Sequence, residues 1–144
     1  MNETTDTGIH WGFWVISVVA LLWNLMGTAN FFAQMNADFV ATYPDTHRAI
    51  IDGRPAWATG AFATAVFGGA LGCILLLLWR PAALYLFVAS LLGVIATMVH
   101  TLAVARSAIE FSLFEIVMMM LMPLVVAAFL VWYSKRAENQ GWLR

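Results

Sequence analysis

The sequence predicts an all-α integral membrane protein: a four-helix bundle with a short interfacial helix between its first and second spans. Three observations lead there. The 144 residues are 62% hydrophobic and 10% charged, against roughly 25% charged in an ordinary soluble domain. Four long stretches lack Asp, Glu, Lys and Arg. Apolar residues also occupy every face of those stretches, unlike the one-sided pattern of a soluble bundle. At this length the whole chain, 1–144, is expected to form one domain.

The charge-free stretches run from Trp11 to Ala37, Pro55 to Trp79, Pro81 to Ala105 and Ile116 to Ser134, and the spans built on them are expected at about 11–34, 56–79, 81–105 and 109–134, each at or near the roughly 20 residues that cross a bilayer as a helix. The runs are continuous and do not alternate, which argues against a closed β-barrel. Ahead of the first run, MNETTDTGIH holds Glu3 and Asp6 but no Lys or Arg. A cleaved signal needs a basic leader, so the run is expected to be a retained span. Next comes NADFVATYPDTHRAIIDGRP, whose charges keep it out of hydrocarbon. Pro44 and Asp45 suit a helix's first turn and Gly53 its stop, which predicts an interfacial helix over Pro44 to Asp52.

Only WRP separates the second and third spans, so these two are expected to be antiparallel neighbours, with Pro81 in the first turn of the third. A short loop with Arg106, Ser107 and Glu110 follows. In the fourth span Pro123 removes one backbone hydrogen bond and permits a kink. With both termini inside, Arg80, Lys135, Arg136 and Arg144 are cytoplasmic and Arg48, Arg54 and Arg106 outside, the arrangement the positive-inside rule favours. Trp11, Trp14, Trp57, Trp79, Trp132 and Tyr133 fall at span ends as interfacial belts.

Small residues mark the packing. Gly60, Thr64, Gly68 and Gly72 recur every four residues in the second span, beside a second stripe of Ala61, Ala65, Gly69 and Cys73. Small side chains on one face let another backbone approach closely. The stripe reads either as packing against a neighbouring span or as an oligomer seam.

The polar residues can be placed by depth, at about 1.5 Å of rise per residue and about 30 Å of hydrocarbon. Counting from Lys135 and Arg80 and from Trp11 brings Asn30, Gly60, His100 and Glu115 to one level, the outer rim. Asn24 lies about 9 Å deeper. Asn24, Gly27 and Thr28 share a face, Asn30 pairs with Gln34, Thr97 with His100 and Thr101, and Ser112 with Glu115 and Met119. The expected result is a shallow vestibule, open outward and floored by Asn24, with Glu115, His100, Asn24, Asn30 and Thr97 as candidates for a substrate or proton site. Glu115 reads either as a functional carboxylate partnered by His100 or as a marker of the membrane boundary.

Several chemistries find no support. The seven Lys and Arg form no block, so no nucleic-acid partner is expected. The single cysteine, Cys73, permits neither an intramolecular disulfide nor a thiolate cage. A bis-histidine haem is not expected, because His10 and His100 fall at opposite membrane faces and His47 in a loop. No HExxH, phosphate loop or serine-nucleophile motif is present. FGGALG is glycine-rich but lies mid-span. No metal, cofactor or catalytic residue is therefore expected, and the bilayer is the one certain partner, with a homo-oligomer or larger membrane complex beside it.

FWVISVVALLWNLMG together with PAWATGAFATAVFGGALGCILLLL resembles a largely uncharacterised group of small four-span bacterial inner-membrane proteins sometimes labelled sugar transporter. The resemblance covers most of the chain, including the PAW opening of the second span and the glycine stripe. In size the chain is also similar to DoxX-type four-span proteins. The resemblance implies four spans, a bacterial inner membrane and, through the group's label, transport. It carries no binding residues onto this chain. Two function classes follow: a small transporter or permeation unit using the outer vestibule, or an accessory subunit of a larger complex. An enzyme with an unseen cofactor is a third, less supported class.

Overall fold

A computed structural model describes residues 11–105 and 112–143, without the side chains of Thr46, Val104, Ala105, Ile116 and Met119. The placements expected for His10, Arg106, Ser107, Glu110 and Arg144, the start of the fourth span at 109 and the Met119 side chain lie outside the described residues. The described chain is helical, with no strand among those residues. Its elements are α1 (Trp11–Ala33), α2 (Ala37–Val40), α3 (Asp45–Asp52), α4 (Ala56–Leu77), α5 (Ala83–Ala105), α6 (Leu113–Ile116), a π-helical turn (Val117–Leu121) and α7 (Met122–Asn139).

Three of these, α1, α4 and α5, are long and apolar enough to cross a membrane, the property of a small membrane protein. Their outward faces agree: Val19, Leu22, Leu71, Leu92 and Phe129 of α7 stand exposed, a surface that suits acyl chains and that water would penalise. The fourth apolar segment takes a different form. It is helical but broken, and α7 carries Lys135, Arg136 and Glu138 near its end. Pro123 has no N–H to donate and its ring presses on the carbonyl four residues back. The extra residue accommodated by the π turn just before it relieves that conflict. The helix also runs on past Ser134, where the apolar stretch ends, to Asn139.

α4 is the centre of the bundle, packed against α5 on one side and α1 on the other, while α7 packs on α5. Lipid gives no hydrophobic drive between helices, so close van der Waals fit must hold them together. The sequence supplies that fit with small residues. A Cβ placed on Gly93 of α5 would meet the Ala61 carbonyl oxygen at 2.6 Å and the Ala65 nitrogen at 2.8 Å, backbone atoms that cannot give way. On Gly72 it would meet the Phe87 ring at 2.7 Å, and on Gly68 the Leu86 carbonyl at 3.3 Å. Ser90 Oγ donates to the Ala65 carbonyl at 2.6 Å and ties the two backbones directly. Gly68 and Gly72 of the first stripe thus face α5, whereas Gly60 and Thr64 are exposed. The tightest approaches involve the second stripe, Ala61, Ala65 and Gly69.

One end of the bundle is closed. Phe13, Ala20, Cys73, Leu76, Phe87, Leu130, Tyr133 and Ala137 form its buried core. α7 stops in a Schellman turn, with Gly141 at φ +74° and Trp142 N donating to the Ala137 carbonyl at 3.0 Å. That turn folds the chain back, so Trp142 meets Phe13 edge-on at 5.8 Å and Leu143 is buried. α4 ends in the same pattern, Arg80 N donating to the Leu75 carbonyl at 2.8 Å, but with Trp79 in the left-handed position at φ 60°. A non-glycine residue there costs roughly 1–2 kcal/mol, offset in part by the contact of its ring with Trp14 at 6.0 Å. The WRP turn delays α5 to Ala83, two residues beyond the expected start at Pro81.

Gly93→Ala is expected to destabilise the bundle by about 1–3 kcal/mol through overpacking against backbone. A Cβ on Gly60 meets nothing within 4 Å, so Gly60→Ala should be neutral or slightly stabilising. Thermal unfolding of both variants in the same detergent checks the contrast. A large loss for Gly60→Ala, or a changed oligomeric state, would identify Gly60 as part of a seam between chains.

Candidate functional site

At the opposite end, which carries α3, the helices part. α1 and α7 are not among the closely packed pairs, and between them, over a back wall of α4 and α5, lies a cavity of about 610 Å³. That volume falls in the range of small-ligand sites, about 300–1,000 Å³. Its deep part is lined by Asn24, Val66, Phe87, Ser90, Val94, Val126 and Leu130, and its mouth by Asn30, Gln34, Tyr43, His47 and Arg54.

The polar groups in the depth are already committed to protein. Asn24 is 8% exposed; its Nδ2 donates to the Ala20 carbonyl at 2.9 Å and to Cys73 Sγ at 3.6 Å, an interhelical contact between α1 and α4. A Cβ on Gly69 would lie 1.9 Å from Asn24 Oδ1, so the amide oxygen rests where only a glycine Cα hydrogen fits, in a weak C–H···O contact. Ser90 donates to Ala65, Thr97 to the Gly93 carbonyl at 2.8 Å and Thr101 to the Thr97 carbonyl at 3.0 Å. These hydroxyl protons serve backbone, as they commonly do in helices. To a ligand, the hydroxyls on the inner walls therefore offer acceptor lone pairs but no free protons, between otherwise apolar side chains.

The mouth is different. Tyr43 donates its hydroxyl to Asn30 Oδ1 at 3.0 Å, and Arg54 donates from its guanidinium to Gln34 Oε1. Each amide oxygen thereby accepts a bond from protein and is turned toward it, and the NH₂ groups of Asn30 and Gln34 remain as donors. Arg54 also lies over the Phe62 ring at 5.3 Å, within cation–π range. Burial lowers its pKa from the ordinary arginine value, and the group stays charged at any physiological pH. Among the described residues the ion pairs are Arg48 with Asp45 and Lys135 with Glu138. Arg54 belongs to neither, and no carboxylate among the described residues lines the cavity.

Of the residues singled out in the sequence, Asn24, Asn30 and Thr97 line this cavity. His100 does not: it is buried on another face of α5, edge-on to Trp57 of α4 at 5.9 Å. Thr97 and Thr101 share the cavity face without it. Glu115 also lies off the lining, and a local structural role accounts for its position. Ser112 Oγ accepts from Glu115 N at 3.2 Å while Glu115 Oε2 accepts from Ser112 N at 2.8 Å. This capping box satisfies helix-start donors that would otherwise lack partners, and its carboxylate suits the positive end of the helix dipole.

Sequence reasoning missed Tyr43, His47 and Arg54 as site residues and paired Gln34 with Asn30. Arg54 was legible as a charge next to a span; its return over the mouth depends on how α2 and α3 fold back. Comparison of the chain with protein-family models, curated proteins and solved structures finds no match.

Two outcomes follow from this geometry. Gly69→Ala should cost about 1–3 kcal/mol by displacing Asn24, and adding Asn24→Ala in that background should recover part of the loss, measured by thermal unfolding as a double-mutant cycle. Ser112→Ala should cost about 1 kcal/mol as a lost cap, whereas Glu115→Gln, which still reaches back to the N-cap amide, should leave unfolding and any solute-binding activity close to wild type.

Proposed function

We propose that this chain is a small four-span protein of a bacterial inner membrane, with both termini cytoplasmic, that takes a small solute into an outward-facing vestibule as a binding and permeation unit. The cavity of about 610 Å³ is the observation that carries the reading. It is deep, it has committed polar groups inside and free donors at its rim, and it opens at the end away from Trp11 and Leu143. The segment from Leu113 to Tyr133, the α6, π turn and α7 stretch, counts as the fourth span, with Glu115 at its outer end. α3 then lies along the outer interface, its charges in the headgroup layer. The resemblance to four-span inner-membrane proteins supports the same assignment.

The vestibule ends blindly on Phe87, Leu130 and the aromatic core. Passage of a solute requires that floor to open. The π turn and Pro123, both at the α7 wall, are where helix α7 can bend to do so. The accessory-subunit reading draws on one observation, the exposed small residues Gly60 and Thr64 of α4, on which a helix of a second copy or another protein would fit.

Val94→Trp, which places a large ring in the cavity, should abolish solute uptake into proteoliposomes while leaving the helical circular-dichroism spectrum intact. Uptake unchanged by Val94→Trp would remove the cavity from the path. No uptake by the wild type, together with stoichiometric co-purification of a different membrane protein in native mass spectrometry, would favour the accessory role.

A further inference from the structure

The vestibule divides its chemistry by depth. Its mouth gathers the Arg54 guanidinium and the amide NH₂ groups of Asn30 and Gln34, whose oxygens already accept bonds from protein. Among the described residues, the Arg54 N–H groups beyond the Gln34 bond have no protein acceptor, and no described acid lines the cavity to neutralise it. A half-buried cation without a counter-ion is costly, and proteins ordinarily pair such a group. Below the mouth, Val66, Phe87, Val94, Met98, Val126 and Leu130 form an apolar shaft, and the hydroxyls of Ser90, Thr97 and Thr101 are turned to backbone. The shaft also borders the gap between α1 and α7, where Met26 lines the cavity while being 67% exposed at the bundle's surface.

We infer that the natural occupant is an amphipathic anion, with its carboxylate or phosphate held at the mouth by Arg54, Asn30 and Gln34 and its hydrocarbon tail lying in the shaft between α1 and α7. A neutral sugar would leave Arg54 unpaired and would meet, among the described side chains of the shaft, hydroxyls that can accept but whose protons are already given to backbone. An organic cation would meet Arg54 directly. A small inorganic anion would satisfy the mouth and leave the shaft empty. The amphipathic anion satisfies both parts, and the cleft between α1 and α7 lets its tail enter sideways from the acyl layer. This assignment rests on the vestibule being a ligand site and specifies the ligand's class.

The test uses the full chain in nanodiscs of zwitterionic lipid, titrated with hexadecanoate, hexadecanol, hexadecyltrimethylammonium and acetate, with binding followed by native mass spectrometry and by Trp23 fluorescence, since Trp23 lines the cavity. Hexadecanoate should bind saturably and about tenfold or more tighter than hexadecanol, as expected for hydrogen bonds to a charged group. The ammonium and acetate should not compete. Arg54→Gln should bring hexadecanoate down to the hexadecanol level without changing hexadecanol binding, and Arg54→Lys should keep part of the preference. Should Arg54→Gln fail to fold, Gln34→Leu provides the second measurement, with a smaller loss of the same preference.

Equal binding of acid, alcohol and ammonium, or a preference that survives Arg54→Gln, overturns the head-group assignment and leaves the vestibule itself standing. Absence of saturable binding by any amphipath, combined with uptake of an uncharged hydrophilic solute that Val94→Trp blocks, overturns the ligand class alone. Failure of every ligand and of Val94→Trp to have an effect overturns both readings. Phosphatidylglycerol included in the disc separates the two sources of such an anion: competition with hexadecanoate supports a membrane phospholipid as the occupant, and lack of competition supports a free single-chain acid.

Discussion

Everything in this fold depends on how near α4 and α5 can come to each other. In water a bundle is drawn together by burying oil; in lipid that drive is absent, and contact at van der Waals distance must replace it. Gly93 of α5 against Ala61 and Ala65 of α4 provides that contact by removing the side chain that would hold the backbones apart. The Ser90 hydrogen bond to the Ala65 carbonyl then fixes the register. With that pair set, α1 is placed by Asn24 in the notch of Gly69, and α7 by its packing on α5.

The same arrangement explains why a cavity exists at all. α1 and α7 are held to opposite partners of the central pair. They meet each other at the closed end, where Phe13 stacks on Tyr133 at 6.3 Å and takes Trp142 on its edge. Toward α3 no comparable aromatic cluster bridges them among the described residues, and the π turn with Pro123 shapes α7 beside the space left open. The residues that look polar in the sequence are divided by this geometry. Those in the depth serve as internal fastenings, and those at the rim keep donors to offer.

Much of this was legible in the sequence. Uninterrupted apolar runs gave the three long helices, Pro44 and Gly53 bracketed α3, and depth counting brought Asn24 below Asn30 on α1. The depth count located residues along the membrane normal but left their direction around each helix open. His100 has the right height and the wrong azimuth for the cavity, which Thr97 and Thr101 reach instead. Glu115 looked like a carboxylate in oil because the helix start at Ser112 is hidden in FSLFEIVMMM; a Ser three residues before a Glu was the available signal for a capping box. The fourth segment looked continuous because hydropathy does not register a π turn. Arg54 lay beyond reach, since its place depends on a loop folding back across the mouth.

The C-terminal turn at Gly141 has a mechanical consequence. By tucking Trp142 and Leu143 against Phe13, it makes the closed end a fulcrum on which α1 and α7 act as two arms. α1 spans 23 residues, a lever of about 35 Å at 1.5 Å per residue. A rocking of about 5° at that fulcrum moves the far tip by about 3 Å, close to the width of a single atom's passage. By the same leverage, small differences in how the Phe13, Tyr133 and Trp142 rings pack at the closed end translate into several-fold larger differences in the width of the gap at the other.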